Sequence, residues 1–407
     1  MHDYEPCFLR VVVTMRLLAA VFVTLVVVWQ STVVFASTSV LTVISENSRG
    51  LFGRSSGSSD VDGTFSKVKT IRGISTSLTI IPGDVSDVIV TLDDQGRLTA
   101  LNSGDTSKVL WYVALAGGRR SVYSSSLIHS RGVILCAIDN VLYGLDPSTG
   151  QVKWSSTLRN FISGNLVLLN EGQSVAFMTI DGYLCVFDVE TGGLLWHREE
   201  SSVQVRVKSD LSVAYSSGKH YVIVVLPDGR VLCLDSYSGD KMWESELRRR
   251  SMGSIGSIEI TPVVAGSEVF VVDDSGALSS IDLETGKITW SEDLGVLSLS
   301  KEDEETLFVV TDTGELLAYD VDSKVRLWKL SLGKFGKKKC LRWRAPVMVS
   351  GKLWLLSMEG YLVGVNAFSG VIEESYMISG AQSLRYPIKA DASIYVAAGK
   401  MGFVIVS

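Results

Sequence analysis

The sequence predicts an all-β protein built as an eight-bladed β-propeller, and three observations carry that prediction. A phrase recurs along the chain and closes on a tryptophan six times, at Trp111, Trp154, Trp196, Trp243, Trp290 and Trp328. Six of the nine tryptophans thus hold one repeat position, and successive ones lie 43, 42, 47, 47 and 38 residues apart. A period of this length marks a radial or stacked array of one supersecondary unit. Strand–turn–strand hairpins recur eight times, near 88–101, 133–145, 174–188, 221–235, 268–282, 306–320, 352–366 and 393–406. Two copies lack the tryptophan: EGYLVGVNAFSGVIEE has Glu374 in that region, and GKMGFVIVS runs to Ser407.

At the N-terminus, Arg10 and Arg16 precede the apolar run LLAAVFVTLVVV (17–28), and Val34-Phe35-Ala36 supplies small residues for cleavage. This is the pattern of a secretory signal over 1–36, with Met15 as an alternative start. An uncleaved anchor is the other reading, because residues 17–36 are just long enough to span a bilayer. No cysteine follows the apolar run, so a lipoprotein attachment signal is not expected. Residues 37–64, rich in Ser and Gly, read as a flexible lead-in. Residues 65–407 read as the propeller, with 65–71 (FSKVKTI) expected to supply the outer strand of the last blade and so close the ring. Closure of this kind removes an exposed sheet edge.

Residues 133–154 illustrate the unit. VILCAI (133–138) is a β-branched apolar run, Asp139-Asn140 a turn, and Val141–Leu145 a second strand. Pro147-Ser148-Thr149-Gly150 is turn chemistry again, and Val152-Lys153-Trp154 opens a third strand. Asp181-Gly182 and Asp228-Gly229 suit hairpins that need positive φ. The second turn ends at Gly150, Gly192, Gly239, Gly286 and Gly370, where a left-handed residue costs least. It opens with Asp146, Asp188, Asp235, Asp282 and Asp320, which are read as turn-formers bonding backbone N–H groups two residues on, ahead of a metal or catalytic role. The tryptophan is expected to pack between neighbouring blades and fix their spacing.

Only 20% of the 407 residues are charged and 46% are apolar, as blades buried on both faces require. The net charge of −6 argues against a general nucleic-acid binder. Basic runs at Arg248-Arg249-Arg250 and at Lys334, Lys337-Lys338-Lys339, Arg342 and Arg344 are solvated loops or a docking surface for an acidic partner. The five cysteines (Cys7, Cys136, Cys185, Cys233, Cys340) show no paired or metal-ligand spacing and read as buried free thiols. Cys185 and Cys233 stand at different offsets from the turn aspartate and are expected to face opposite sides. The four histidines (His2, His129, His197, His220) form no His-rich motif.

The turn Asp-x-x-Thr-Gly followed by an apolar strand and Trp, carried in full by DPSTGQVKW, DVETGGLLW and DLETGKITW, resembles the repeat of pyrroloquinoline-quinone (PQQ)-type propellers. Within that superfamily the chain resembles the BamB family of outer-membrane protein assembly factors. The stretch ITPVVAGSEVFVV (260–272), running into DSGALSSIDLETGKITW, is close to that family's style. The resemblance covers the chain from about residue 65 onward. It implies a non-enzymatic periplasmic scaffold without a cofactor, peripheral to the inner face of the outer membrane. The implied partners are the BamA periplasmic (POTRA) domains and unfolded outer-membrane proteins.

The family's contact loop between the third and fourth blades, Leu-x-Leu-Arg, matches Val203-Gln204-Val205-Arg206. The resemblance therefore implies Val203, Val205 and Arg206 as partner-binding residues. Two apolar side chains beside a planar donor fork suit an interface hot spot. An alternating strand over 201–208 is the competing reading. A second family feature, an acidic pair before Thr-Pro, is reduced here to Glu259 before Thr261-Pro262. The rival class is a secreted quinoprotein dehydrogenase, which places a quinone and a metal-assisted carboxylate in the propeller funnel. No adjacent cysteines and no Glu/Asn/Asp constellation outside the turns favour it. A propeller serving another periplasmic or luminal binding role is the third class, because the fold alone does not decide the job.

Overall fold

The computed structural model describes residues 41–43 and 75–377, apart from 84–85, 104, 106–107, 116–124, 200–210, 227, 248–259, 302, 334–342 and 350, together with 388–390, 393–397 and 403–406. The expected signal (1–36), residues 65–71, the Arg248–Arg250 run, most of the second basic run, Cys7 and Cys340 lie outside the described residues. The described chain is all-β, made of four-stranded antiparallel sheets. In seven sheets the four strands follow one another in sequence. The second sheet runs Ser125–Ser130, Val133–Ile138, Val141–Leu145 and Val152–Thr157. First strands of neighbouring sheets touch, as Ser75–Ile81 and Ser125–Ser130 do, while the fourth strands lie outermost with four of their six residues exposed in the first three sheets. This is the blade geometry of a β-propeller.

The last sheet is assembled differently. Ile388–Ala390, Ser393–Ala397 and Phe403–Val406 pair in order, and Leu41–Val43 adds to the outer side in the register Leu41↔Val406, Thr42↔Ile405, Val43↔Val404. The strand beside the C-terminal one therefore comes from Leu41–Val43, inside the segment expected to be a lead-in, and not from 65–71. Three residues of Leu-Thr-Val among serines form a strand too short to stand out as a pattern. Pairing with an open sheet edge selects it.

No single core exists among the described residues; apolar side chains form layers between blades. Strand Val133–Ile138 is buried at every position because successive residues point to opposite faces. Val133, Leu135 and Ala137 enter the layer shared with the third blade. Ile134, Cys136 and Ile138 enter the layer shared with the first. The cysteines follow the same rule. Cys185 packs toward the second blade and Cys233 toward the fifth, so they do face opposite sides. Cys136 and Cys233 are buried free thiols, whereas Cys185 is only half-buried. Burial raises the Cys185 thiol to about 11 and the Cys233 thiol to about 12.

Each repeat tryptophan sits in the layer between its own blade and the next. Its ring lies against the glycine that ends the neighbouring turn. A Cβ added at Gly239 would stand 2.8 Å from the Trp196 ring, and one at Gly286 would stand 2.7 Å from the Trp243 ring. Both glycines also have positive φ, 75° at Gly239 and 71° at Gly286, so two separate constraints select glycine. The indole N–H completes the lock by donating to the carbonyl that follows the turn Asp or Asn. Trp111 donates to Pro147 at 2.9 Å, Trp196 to Ser236 at 3.1 Å, Trp243 to Leu283 at 2.7 Å and Trp328 to Ala367 at 2.9 Å. The Trp154 indole nitrogen is buried without such a partner.

Two junctions depart from this scheme. The turn facing Trp290 ends in Lys324, a non-glycine residue at φ 58°. Its ammonium reaches Glu268 of the fifth blade at 3.2 Å, and Glu268 also accepts from Ser280 (2.5 Å) and Thr289 (3.0 Å). In the seventh blade Glu374 takes the tryptophan's position, buried and ion-paired with Lys352. An indole is nevertheless present there. Trp354, two strands further in, lies across Gly364, the residue paired with Glu374.

The turn aspartates behave as turn-formers. Asp146 accepts from the amides of Ser148 (2.9 Å) and Thr149 (3.0 Å) and from both hydroxyls. Asp282 accepts from the Thr285 amide (2.8 Å) and hydroxyl (2.6 Å), and Asp320 from those of Ser323 (2.8 and 2.5 Å). The Thr285 hydroxyl holds Asp282 below the usual carboxylate range, the Ser323 hydroxyl does so for Asp320, and the Ser148 hydroxyl for Asp146. At Asp188 burial pushes upward, but the Thr191 hydroxyl and amide outweigh it and the net shift is downward.

Three outcomes are expected. Trp243→Phe leaves the Leu283 carbonyl without its donor, whereas Trp154→Phe removes a donor that has no acceptor. Urea unfolding should therefore find the first variant less stable than the second by about 1–2 kcal/mol. Lys352→Ala leaves a buried carboxylate beside a lost cation and should cost on the order of 3 kcal/mol. A Lys352→Met/Glu374→Leu double variant should recover most of that loss. Because the turn carboxylates are depressed, their contribution is complete above the unfolded carboxylate value of about 4. It is lost as pH falls through their lower folded values. Thermal melts should be flat above about pH 5 and drop below about pH 4, and Thr285→Val should make the drop shallower.

Candidate partner-binding surface

An antiparallel meander sends its connections alternately to two faces. One face carries the hairpins between second and third strands together with the links from each outer strand to the next blade's inner strand. The link 200–210 joins the outer strand Leu194–Glu199 of the third blade to the inner strand Leu211–Ser216 of the fourth. The link 248–259 joins the fourth blade to the fifth. Val203, Val205 and Arg206 belong to the first link and Glu259 to the second, and all four lie outside the described residues. The anchors of both links are described. Leu247 is buried at the end of the fourth blade's last strand, Pro262 is buried, and Ile260 packs against the layer between the fifth and sixth blades.

Where the first link leaves the third blade, its rim carries a cluster that the sequence reading did not single out. The Tyr183 hydroxyl donates to Glu199 Oε2 at 2.7 Å. The Arg159 guanidinium, which follows the second blade's outer strand, stands 4.4 Å from the centre of the Tyr183 ring. Its Nε lies 3.4 Å from Asp181 Oδ2, and the His197 ring stacks on the tyrosine with centres 6.3 Å apart. The hydrogen bond to Glu199 raises the Tyr183 phenol above its ordinary value, so it remains a donor throughout the neutral range. Arg and Tyr held in a fixed geometry are the residue types enriched at interface hot spots. The only signal in the sequence was an arginine just past an outer strand and a tyrosine opening the next hairpin's second strand. Neither is unusual in one chain.

At the fourth blade, Arg230 pairs with Asp228 (Nε–Oδ2 2.8 Å) and Glu244 (Nη1–Oε1 3.4 Å), and Lys241 pairs with Glu244 at 2.6 Å. The hydrogen bond to Asp228 raises the Arg230 guanidinium further above its already high value. The rim beside the first link is thus a mosaic of paired charges around aromatic rings. That chemistry suits protein recognition by side-chain complementarity. On the opposite face, Tyr215 and Tyr237 flank His220, with ring centres 4.8 and 5.9 Å from the imidazole. Among the described residues, no group of three or more His, Cys, Asp or Glu side chains is placed to hold a metal ion.

Comparison with known proteins agrees with this architecture. A family model described as "Outer membrane protein assembly factor BamB" matches residues 28–160, 94–330 and 227–385. The chain is 24% identical over 330 residues to the outer membrane protein assembly factor BamB of Yersinia pestis, covering 76% of this chain and 79% of that protein. It is 25% identical over 332 residues to the Escherichia coli BamB, covering 78% and 81%. Among solved structures, BamB from Moraxella catarrhalis superposes with a TM-score of 0.62 at 18% identity, covering 80% of this chain and 92% of that one. The computationally designed Ika8 protein superposes with a TM-score of 0.64 at 14% identity, covering 83% and 97%. The structural likenesses, at these identities, speak for the propeller fold. The family match runs through most of the repeat array, and on that ground the chain belongs to the family of outer membrane protein assembly factor BamB.

Proposed function

We propose that this chain is a non-enzymatic scaffold in outer-membrane protein assembly, working in the periplasm at the inner face of the outer membrane. It would be delivered there by the N-terminal segment 1–36. The observation that carries the reading is the family match from residue 28 to 385 over a chain whose described part consists of propeller repeats. The repeat carboxylates most open to a catalytic reading are instead bonded within their own turns. We further read the array as a ring of eight blades closed by the Leu41–Val43 strand. Pairing of that strand with Phe403–Val406 supports this, as does the contact of Ser75–Ile81 in the first sheet with Ser393–Ala397 in the last.

The partner in this reading is the set of BamA periplasmic (POTRA) domains, with unfolded outer-membrane proteins as further clients. Val203 and Val205 supply apolar anchors and Arg206 a donor fork, while Glu259 on the next link adds an acceptor. The Arg159–Tyr183–Glu199 cluster supports this placement by bordering the first link with a pre-ordered rim.

The test is binding of residues 37–407 to the BamA periplasmic domains of the same organism, measured by calorimetry alongside Arg206→Glu. Charge reversal should weaken binding by about tenfold or more, equivalent to at least about 1.4 kcal/mol, with an unchanged melting temperature. Binding indifferent to Arg206 would move the site to another part of the surface. Absence of binding at concentrations on the order of tens of micromolar would end the scaffold reading.

A further inference from the structure

The alternation that sends the links to one face sends the turns between third and fourth strands, with the hairpins between first and second, to the other. Exposed apolar side chains gather on this turn face. Every outer strand of the first seven blades has one at, or next to, its first residue, as Val109, Leu194, Ile288 and Val371 show. Among the described residues, the large apolar side chains exposed elsewhere are Tyr112 and Leu297.

Two turns add aromatic posts. At the turn's third position, where other blades have Ser148, Glu190, Glu284 and Asp322, the fourth blade has Tyr237 and the seventh has Phe368. These are 58% and 91% exposed, and Tyr215, on the other side of His220, is 65% exposed. The turn beneath each post is held by its own cap. The Tyr237 amide donates to Asp235 Oδ1 at 2.9 Å and the Phe368 amide to Asn366 Oδ1 at 3.1 Å. Backbone groups satisfied in this way can be covered by an apolar medium without losing a hydrogen bond.

Apolar side chains repeated over seven blades fit a broad, flat partner better than a single domain, and the path of the chain says which one. Leu41 pairs with Val406, the last residue of its sheet's third strand, as Val152 pairs with Leu145. Leu41 therefore starts at the turn face. The apolar segment 17–36 precedes it, and residues 37–40 between them span less than about 20 Å even fully extended. A bilayer that holds that segment meets the turn face and not the link face.

We propose that the turn face is a lipid-docking surface, with Phe368, Tyr237 and Tyr215 seated in the headgroup layer of a zwitterionic phospholipid bilayer. Aromatic side chains favour that layer. The preferred lipid charge follows from the matching turns, where the exposed carboxylates of Glu190, Glu284 and Asp322 repel an anionic surface. This inference rests on the periplasmic scaffold reading given above, and names the face of the scaffold that meets the membrane. It leaves the link face, with Val203, Val205 and Arg206, open to a soluble partner.

The test floats residues 37–407, which contain every described strand but not the apolar segment, with vesicles of phosphatidylcholine and phosphatidylethanolamine. Phe368→Ser/Tyr237→Ser should lower the vesicle partition coefficient by about tenfold, or about 1.4 kcal/mol, with an unchanged melting temperature. Phe368→Ser alone should lower it about threefold, which keeps the test valid if the double variant folds poorly. Tyr112→Ser, exposed but away from this face, should leave it unchanged. Replacing about a third of the lipid by phosphatidylglycerol should weaken binding at low salt. A polarity-sensitive dye on Ser369→Cys should shift to the blue with vesicles, measured against the unmutated chain. The same dye on Glu359→Cys, at the link end of the same blade, should not. No binding at lipid concentrations on the order of 10 mM, or indifference to both serine variants, would overturn the proposal. Stronger binding to phosphatidylglycerol vesicles, or a blue shift at Glu359→Cys alone, would do the same. So would a dimer that Phe368→Ser converts to monomer, by assigning the face to a second copy. BamA binding is measured on the same preparations. Retained BamA binding without vesicle binding sinks the lipid-docking face alone, whereas vesicle binding without BamA binding ends the scaffold reading.

Discussion

The indole laid across the neighbouring blade's turn is the contact on which the regularity of the blade array depends. A sheet of four strands has two apolar faces and no core of its own, so each blade is stable only between neighbours. Layers of Val, Leu and Ile supply attraction but little direction, since apolar burial is roughly proportional to area and non-directional. The tryptophan adds what they lack. Its ring rests on a glycine that tolerates both the contact and the left-handed backbone, and its N–H reaches a single carbonyl. A second bond from two residues further on reinforces the seam, from Ser156 to Gly192 O at 2.7 Å and from Arg198 to Gly239 O at 2.9 Å. Distance and angle between blades are fixed together.

The two irregular seams show how much of that lock is replaceable. Opposite Trp290, Lys324 occupies the left-handed turn position without glycine's freedom, and its side chain is drawn into an ion pair across the blades. On the seventh blade the ring moves inward to Trp354 over Gly364, and the vacated outer position holds Glu374 against Lys352. Both solutions place an ion pair in a partly buried setting, where charges are directional but costly to desolvate. They mark the fifth-to-sixth seam and the outer face of the seventh blade as the places where stability depends on the partner charge being present.

The surface divides along the same lines. Turns that bond their own aspartates are internally satisfied and offer few free polar groups to a ligand. The links between blades and the free outer edges remain as the adaptable parts. The Arg159–Tyr183–Glu199 cluster orders one rim of the link face.

The period of the tryptophans, the Asp and Gly at fixed offsets in the turns, and the alternation along the strands determine the repeat, the hairpins and the opposite facing of Cys185 and Cys233. These features are local and repeated, so a single chain displays them many times over. The tertiary structure alone decided which segment pairs with the final strand, because Leu41–Val43 is a strand only when an open edge is beside it. It alone showed that Trp354 stands in for the tryptophan missing at Glu374, since the replacement lies across the sheet and not along the sequence. The Arg159–Tyr183 stack was equally hidden, as it joins residues of two blades whose proximity only the packing of neighbouring blades creates.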